Sequence, residues 1–453
     1  MEEINFNIEL WIVIKNFFPK LITELKQSED PRHKSYITYK NAEILFVRIL
    51  AVVFRLDSMR GIGETLNRKI CFRNISKILE LDEDLTELPH WGTINDFLER
   101  LSPDEIKKII RKLVYRLTRM KTFENSKIRG KFWHIVVDAT QICTFKERHC
   151  PHCLTREHKK DGKVISVDYY HVVLEAKLVL HGNIVVSIAS EFVENDLDKD
   201  GNPILESNAN KSSKEKIKQD CELKAFYRMA KKLKKDFPRL PICLGMDSLY
   251  AGEPVFNVCK ENGWHYIIRF KDGSISTIAE EFHTLKDMEP EQTWSKTENG
   301  YTLTYKFVVK IPYKSHSLNV VECNQSNMEY PFVFVTDLPI TRKNCEELVK
   351  KGRLRWKIEN EGFNEQKNHG LGLGHLFSKN YIAMQNHYYL IQIGHMISQF
   401  LECGIKKIEA LANITTKILF ENIKEAFRTI MLTRADKCLV QNATQYRLRE
   451  PTG

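Results

Sequence analysis

The chain of 453 residues predicts an α/β fold with a mixed sheet and a β-rich insertion, preceded by an all-helical domain. Two changes in pattern carry this prediction. Apolar residues recur at helical spacing up to about residue 125, and strand-like apolar runs begin near residue 130. Further on, a strand, a helix and a second strand follow in close succession, an order that is typical of parallel strand pairing.

Composition limits the classes of protein to consider. The formal net charge is +10, and the eleven cysteines are an odd number, typical of reduced thiols in a reducing compartment. No apolar run is long enough to span a bilayer, and the acidic start is unlike a signal peptide. We therefore expect a cytoplasmic protein with no membrane partner. The positive charge permits a nucleic-acid partner, although ordinary solvation by lysines explains it equally well.

The N-terminal region, residues 1–125, is expected to form a helical domain. Its last predicted helix, 106–120, carries six basic side chains: Lys107, Lys108, Arg111, Lys112, Arg116 and Arg119. Such a helix would suit DNA phosphates, and it would equally serve as a solvated face.

The first predicted strands form a meander. The apolar run 132–137 predicts a buried strand that ends at Asp138, and further strands are expected at 169–180 and 183–192. An exposed loop is expected at 195–212, and a capping pattern at Ser212 begins the following helix.

A β-α-β unit follows the meander. The strand 240–246 ends at Asp247, the helix 254–262 stops before a glycine, and the strand 264–270 completes the unit. The period-two segment 301–309 then indicates a small β insertion.

This succession of elements is the ribonuclease H-like order. The first and fourth strands are central neighbours in such a sheet, so Asp138 and Asp247 would converge. The expected parts are 126–270 for the first half of this domain, 271–330 for the β insertion, 331–400 for the second half, and 401–453 for a helical tail. Residues 355–367 are expected to form a helix that brings Glu359 to the two acids, with Arg355 one turn before it.

A cysteine-histidine segment lies between the first two strands. Cys150 and Cys153 have zinc-knuckle spacing, and His158 follows as a third candidate ligand for a structural Zn²⁺. Cys143, His149 and His152 could also complete the site. A thiol-bearing loop without metal is an equally good interpretation.

Three segments of this chain resemble the DDE transposases of bacterial insertion sequences, in the group with a β insertion between the second Asp and the Glu. The segments are Val-Asp-Ala-Thr at 137–140, Met-Asp-Ser-Leu-Tyr at 246–250 and Arg-Trp-Lys-Ile-Glu-Asn-Glu-Gly-Phe-Asn at 355–364. The resemblance covers most of the chain from about residue 90 to 400. It implies that Asp138, Asp247 and Glu359 hold two Mg²⁺ ions, for which Mn²⁺ can substitute, and that Arg355 and Lys367 contact DNA.

The Glu segment matches the family pattern in part. That pattern is Tyr, two residues, Arg, three residues, Glu, six residues, Lys. Arg355 stands four before Glu359, whereas Gly352 takes the Tyr position and Gln366 the Lys position, with Lys367 one residue further. Choosing Glu361 instead would align Lys357 and Asn368 with the Arg and Lys, a poorer match. We therefore assign Glu359 and keep Glu361 in reserve.

The resemblance implies a DNA transposase that cleaves element ends and joins them to target DNA. Its partners would be terminal inverted repeats, target DNA and further copies of the chain in a synaptic oligomer at the nucleoid. The helical domain 1–125 would bind DNA. The alternatives are a metal-dependent nuclease that does not join ends, a non-catalytic DNA-binding protein from a decayed element and, more remotely, a glycosidase. Tyr250, Trp264 and Trp356 would stack on a flipped base or, more simply, pack in the core.

Overall fold

The computed structural model describes residues 4–147, 149–195, 197–199, 220–288, 290–443, 446 and 448. The helix start expected at Ser212 lies outside these residues, as does most of the loop expected at 195–212. The helices before the sheet are α1 (Phe6–Phe17), α2 (Leu21–Gln27), α3 (Asn41–Val53), α4 (Met59–Leu66), α5 (Lys69–Leu79), α6 (Trp91–Arg100) and α7 (Pro103–Leu117). The later helices are α8 (Glu222–Asp236), α9 (Glu253–Asn262), α10 (Ser276–Leu285), α11 (Cys345–Arg353), α12 (Glu365–Asn368), α13 (Tyr381–Ile405), α14 (Thr416–Thr429) and α15 (Arg434–Asn442).

The strands of the described residues form one ten-stranded mixed sheet. They are β1 (Trp133–Phe145), β2 (Leu154–Lys160), β3 (Lys163–Val179), β4 (Val185–Val193), β5 (Ile242–Met246), β6 (His265–Arg269), β7 (Thr293–Glu298), β8 (Tyr301–Tyr313), β9 (His316–Gln325) and β10 (Phe332–Thr336). Strand β3 pairs antiparallel with both β1 and β4, and β1, β5 and β6 are parallel neighbours. The order β4-β3-β1-β5-β6 is ribonuclease H-like, which confirms the expected fold class.

The strands of the expected insertion, β7, β8 and β9, extend this same sheet. Strand β10, which follows the insertion, pairs antiparallel with β6, and β9, β8 and β7 then follow in that order to the edge. The β-rich segment therefore continues the hydrogen-bonded ladder of the central strands. The domain boundaries drawn from the sequence remain predictions.

Strand β1 is longer than expected and runs seven residues past Asp138, to Phe145. The two sides of β1 explain the difference. Its parallel pairing with β5 covers only Trp133 to Val136, whereas its antiparallel pairing with β3 runs from Ile135 to Phe145. Asp138 therefore lies within β1, just beyond the point where β5 stops covering that side. Strand β2 was not expected, because its residues are mostly charged and show no apolar alternation.

Helix α13 lies at the centre of the helical layer. It is buried along most of its length and contacts α3, α6 and α7 as well as β4. One apolar cluster extends from Leu10 in α1 through the sheet to Phe427 in α14, so the N-terminal helices share a core with the sheet. None of the described helices combines the length and apolarity that a bilayer crossing requires.

The basic helix α7 pairs most of its cations with nearby acids. These pairs are Lys107 with Asp104, Lys108 with Glu105, Arg111 with Asp236, and Lys112 with Glu24. Exposed ion pairs of this kind contribute little stability, yet they neutralise much of the positive face. The pairing favours the solvated-face interpretation of this helix over a DNA contact.

Candidate active site

Asp138 and Asp247 lie at the same end of two parallel strands. Val136 of β1 stands opposite Gly245 of β5, and each Asp follows two residues later. Ligands of open α/β sheets bind at this carboxyl end of the strands. Oδ1 of Asp138 accepts a hydrogen bond from the Ala139 backbone N–H at 3.0 Å. Oδ1 of Asp247 accepts one from the Leu249 N–H at 2.8 Å, which fixes the turn after β5.

The segment carrying Glu359 is not a regular α-helix. A 3₁₀ turn, Leu354–Trp356, leads into a π-helical turn, Ile358–Asn364, and then into α12. The wider i→i+5 hydrogen bonding moves side chains off the expected stripe, so Phe363 is fully buried while Glu359 is exposed. Single π turns inside helices often mark functional sites.

Close packing against the sheet accompanies this π turn. A Cβ on Gly362 would stand 3.1 Å from Cε of Lys177, a fully buried side chain of β3. Glycine thus lets the turn approach the buried lysine. Since this contact joins residues far apart in the chain, helical periodicity alone could not predict the irregular geometry.

Arg355 pairs with Asp138 and not with the acid one turn later. Its Nη1 donates to Oδ2 of Asp138 at 2.8 Å, and its guanidinium lies over the ring of Trp356 at 5.2 Å. The expected Arg355–Glu359 contact is therefore replaced by a contact between the Glu segment and β1.

The three candidate acids influence one another electrostatically. Burial raises the pKa of Asp138, and the Arg355 guanidinium opposes this rise. The negative charges of Asp247 and Glu359 raise the pKa of Asp138 further. The structure thus brings Asp138, Asp247 and Glu359 close enough for their charges to interact, with Arg355 paired to Asp138.

The two glutamates of the π turn have different surroundings. Glu359 acts on Asp138 and also on Lys367, since its charge opposes the burial that lowers the pKa of Lys367. Glu361 instead pairs with Lys357 at 3.6 Å and lines a cavity of about 560 Å³ together with Asn183.

Lys367 reaches back to the first strand. Its Nζ donates to Oγ1 of Thr140 at 2.6 Å, two residues beyond Asp138 on β1. The side chain is half-buried, and burial lowers its pKa. The ammonium group of Lys367 therefore lies against β1, within electrostatic reach of Glu359.

A fourth carboxylate, Glu222, lies near the site, and no pattern in the sequence marks it as a site residue. It opens α8 and accepts a hydrogen bond at Oε1 from the Tyr250 hydroxyl at 2.6 Å. Burial raises the pKa of Glu222, and the charges of Asp138 and Asp247 raise it further. No spacing motif marks this residue; the only signal was its position at the start of a helix that precedes the strand ending at Asp247.

The aromatic candidates divide into two groups. Tyr250 and Trp264 are buried, at 0% and 3% exposure, which agrees with core packing. Trp356 is 56% exposed beside Arg355, so core packing does not apply to it.

Two of the three expected zinc ligands meet a histidine that was not expected. Cys150, Cys153 and His171 form a cluster whose ligand atoms lie within 4.8 Å of one another. His158 instead contacts Asp168 through Nε2 at 2.8 Å. His171 lies inside the strand expected at 169–180, and the unexpected β2–β3 hairpin places it beside Cys150 and Cys153.

The other histidines considered as ligands stack on tyrosines. His149 lies on Tyr169 with ring centres 3.5 Å apart, and His152 lies on Tyr381 at 4.1 Å. Cys143 of β1 stands opposite His171 in the strand register but outside the three-residue cluster.

Comparison with protein families identifies two matching segments. A family described as Transposase DDE domain matches residues 222–397, a range that contains Asp247 and Glu359 and begins at Glu222. A second, described as DDE_Tnp_1-associated, matches residues 22–114 in the helical N-terminal region. Among curated proteins, no match to the chain is found. The two family segments match, and the sheet has the ribonuclease H-like strand order. The chain therefore belongs to the DDE transposases.

Proposed function

We propose that this transposase cleaves the ends of its element and joins them to target DNA, using Asp138, Asp247 and Glu359 to hold divalent metal ions. The observation that supports this most is the coupling of the three acids. Charges on Asp247 and Glu359 both act on Asp138, at the open end of two parallel strands. Carboxylate oxygens are the ligands preferred by Mg²⁺, and Mn²⁺ accepts the same set.

The residues fit a pair of divalent cations. Burial of Asp138, together with the charges of Asp247 and Glu359, makes the negative charge on Asp138 costly unless cations compensate it. When bound, two such ions would activate the attacking water or 3′-hydroxyl and stabilise the leaving oxygen of an in-line displacement. The Ala139 and Leu249 backbone N–H groups orient the two aspartates for this role.

Arg355 and Lys367 are the proposed DNA-binding residues. Both lie next to the acids, and each contacts β1, through Asp138 and Thr140 respectively. A guanidinium released from Asp138 would bind a phosphate in a bidentate manner. The exposed Trp356 beside it offers a surface on which an unpaired base could stack. Assembly into a synaptic homo-oligomer with terminal inverted repeats is part of the same proposal.

The test is a strand-resolved assay with the full chain, Mg²⁺ and DNA carrying the genomic flanks of the gene. Asp138→Asn, Asp247→Asn and Glu359→Gln should each reduce cleavage on the order of a hundredfold or more, since several kcal/mol of charge stabilisation is lost. Glu361→Gln is the matched control, because Glu361 pairs with Lys357. We expect it to retain activity within a few-fold of the unsubstituted protein.

A precut end with a free 3′-hydroxyl, supplied with target DNA, tests the joining step separately. Joined product supports the transposase. Cleavage without joining would support a nuclease, and tight DNA retention without either would support a non-catalytic DNA-binding protein. An Asp138→Asn protein that still cuts and joins in Mg²⁺ would refute the proposed site.

A further inference from the structure

We propose that Cys150, Cys153, His171 and Cys143 bind one structural zinc ion at the base of the β2–β3 hairpin. This site is separate from the acidic site and does not depend on the proposed DNA chemistry. The β1–β2 connection supplies Cys150 and Cys153, and β3 supplies His171. A zinc ion here would join that connection to the central sheet.

The distances between the three clustered ligand atoms match one tetrahedral ion. The two Sγ atoms lie 3.7 Å apart, and each lies 3.3 Å from Nε2 of His171. With Zn–S near about 2.3 Å and Zn–N about 2.0–2.1 Å, tetrahedral geometry places the sulfurs about 3.8 Å apart and about 3.6 Å from the nitrogen. The triangle of the three atoms is therefore close to one face of a zinc tetrahedron.

Hydrogen bonds alone do not account well for the approach of both cysteine sulfurs to Nε2 of His171. A neutral imidazole nitrogen carries either one hydrogen or one lone pair, so Nε2 of His171 can make one good hydrogen bond in that direction. Yet both cysteine sulfurs approach it at 3.3 Å. A shared cation would use one lone pair from each of the three atoms.

The surroundings suit a closed structural site. Cys153 and His171 are 4% and 3% exposed, and Cys150 is half-buried. The Cys153 N–H donates to the Cys150 carbonyl at 3.1 Å, which closes the C-x-x-C turn. Structural zinc sites are closed by four protein ligands and commonly use two cysteines from such a turn.

Cys143 is the fourth donor in this assignment. It lies directly opposite His171 in the β1–β3 register. We assign its sulfur to the open vertex of the tetrahedron because of this register position. The site would then contain three thiolates and one imidazole, one of the common structural sets.

The position of the cluster indicates a mechanical role. Cys143 follows Asp138 by five residues on β1, which is about 16 Å at strand rise, too far for a part in phosphoryl chemistry. Tyr381, the first residue of α13, lies 5.4 Å from His171 between ring centres. The ion would thus fix the base of a hairpin whose outer part carries the exposed cations Arg156, Lys159, Lys160 and Lys163.

The primary measurement is the zinc content of the untagged full chain. We expect one zinc per chain, lost in Cys150→Ser, Cys153→Ser and His171→Gln. His158→Gln and Cys438→Ser are the matched controls and should keep the ion, since His158 contacts Asp168 and Cys438 is exposed on α15. Retention in His171→Gln together with loss in His158→Gln would overturn the ligand set.

A second measurement needs no variant. Chelation of the unsubstituted chain should speed tryptic cleavage at Lys159, Lys160 and Lys163 at least several-fold, and added Zn²⁺ but not Mg²⁺ should reverse this. Co²⁺ substitution should give thiolate charge-transfer absorption that weakens in Cys143→Ser; unchanged absorption would remove Cys143 from the set. A folded chain that holds no zinc, or whose Cys150 and Cys153 resist alkylation as a disulfide, would overturn the proposal.

Discussion

Nη1 of Arg355 donates to Oδ2 of Asp138 at 2.8 Å, with the two side chains only 16% and 24% exposed. The guanidinium therefore occupies an oxygen that a metal ion at this site would need. Without metal, the pair offsets the cost of burying the Asp138 carboxylate within reach of two other negative charges. A metal ion and the Arg355 guanidinium should therefore compete for Oδ2 of Asp138.

Arg355→Ala should bind Mg²⁺ more tightly while cleaving DNA more slowly. Removing the competing cation frees Oδ2 of Asp138, and we expect the half-saturating Mg²⁺ concentration to fall several-fold at pH 8. Cleavage should fall by roughly tenfold to a hundredfold, as a charge-assisted phosphate contact contributes about 1.5–3 kcal/mol. Isothermal titration calorimetry with Mg²⁺ reports binding, and single-turnover assays report cleavage.

Arg353→Ala is the control for that experiment, because Arg353 is exposed and lies over the Phe332 ring at 4.3 Å. It should leave the half-saturating concentration unchanged. Weaker Mg²⁺ binding by Arg355→Ala would mean that the arginine helps to organise the metal site, contrary to the competition described here.

Glu222→Gln should stabilise the metal-free protein at neutral pH. Burial and the nearby aspartates raise the pKa of Glu222 above its ordinary value of 4.5. A raised folded-state pKa means that the native state holds the proton more tightly, so stability is lost as pH rises past the ordinary value. Glutamine carries no charge and still accepts the Tyr250 hydrogen bond. We expect a gain in stability at pH 7 that shrinks as pH falls and vanishes below about pH 4.

Urea unfolding across pH, with and without Mg²⁺, measures this effect. Metal should stabilise the unsubstituted protein more than Glu222→Gln, since cations relieve the same repulsion. Glu261→Gln, at an exposed position of α9, is the control and should show no gain. A Glu222→Gln protein less stable than the control at pH 7 would contradict the expected repulsion.

The strand pattern was enough to predict the placement of the two aspartates. Buried apolar runs that end at Asp138 and Asp247, with a β-α-β order around the second, imply parallel neighbours and a shared sheet end. That inference uses local periodicity and general rules of connection, and the register of β1 against β5 agrees with it. The inference holds although β1 continues to Phe145, because β5 pairs with β1 only as far as Val136 and so leaves Asp138 uncovered on that side.

The remaining features depend on contacts between distant segments. The π turn accompanies the contact of Gly362 with Lys177, and Arg355 turns to Asp138 because that turn lies against β1. The choice of His171 over His158 follows from the β2–β3 register, which places Leu154 opposite Tyr170. The local pattern of apolar and polar residues predicts none of these contacts.

Lys177→Met should destabilise the fold strongly. The Lys177–Glu175 ion pair, at 3.2 Å, is fully buried beneath the π turn, and Nζ also donates to Oε1 of Gln392 at 2.9 Å. Removing one partner leaves a buried charge without compensation, which typically costs about 3–5 kcal/mol. The double variant Glu175→Gln/Lys177→Met should lose less than the sum of the single losses. Additive losses in urea unfolding would show that the two charges are not coupled.

His134→Leu should weaken the acid sensitivity of the fold. His134 is fully buried beside Gly245, and neither ring nitrogen has a hydrogen-bond partner among the described residues. Burial lowers its pKa from 6.5 to about 3, with the Lys351 charge adding to the effect. The native state therefore keeps the ring neutral while the unfolded chain takes up a proton. Stability from this group is present above pH 6.5 and is lost as pH falls towards 3, by up to about 1.4 kcal/mol per pH unit.

Leucine cannot take up that proton, so the variant should lose stability less steeply between pH 6.5 and 4 than the unsubstituted chain. At pH 7 it should be as stable or more stable, because two unsatisfied nitrogens are replaced by apolar surface. His283→Gln is the control, since His283 is exposed on α10, and it should leave the slope unchanged. Urea midpoints at half-unit pH steps measure the slope. Parallel curves for His134→Leu and the unsubstituted chain would mean that His134 gains its proton without unfolding, through a local opening beside β5.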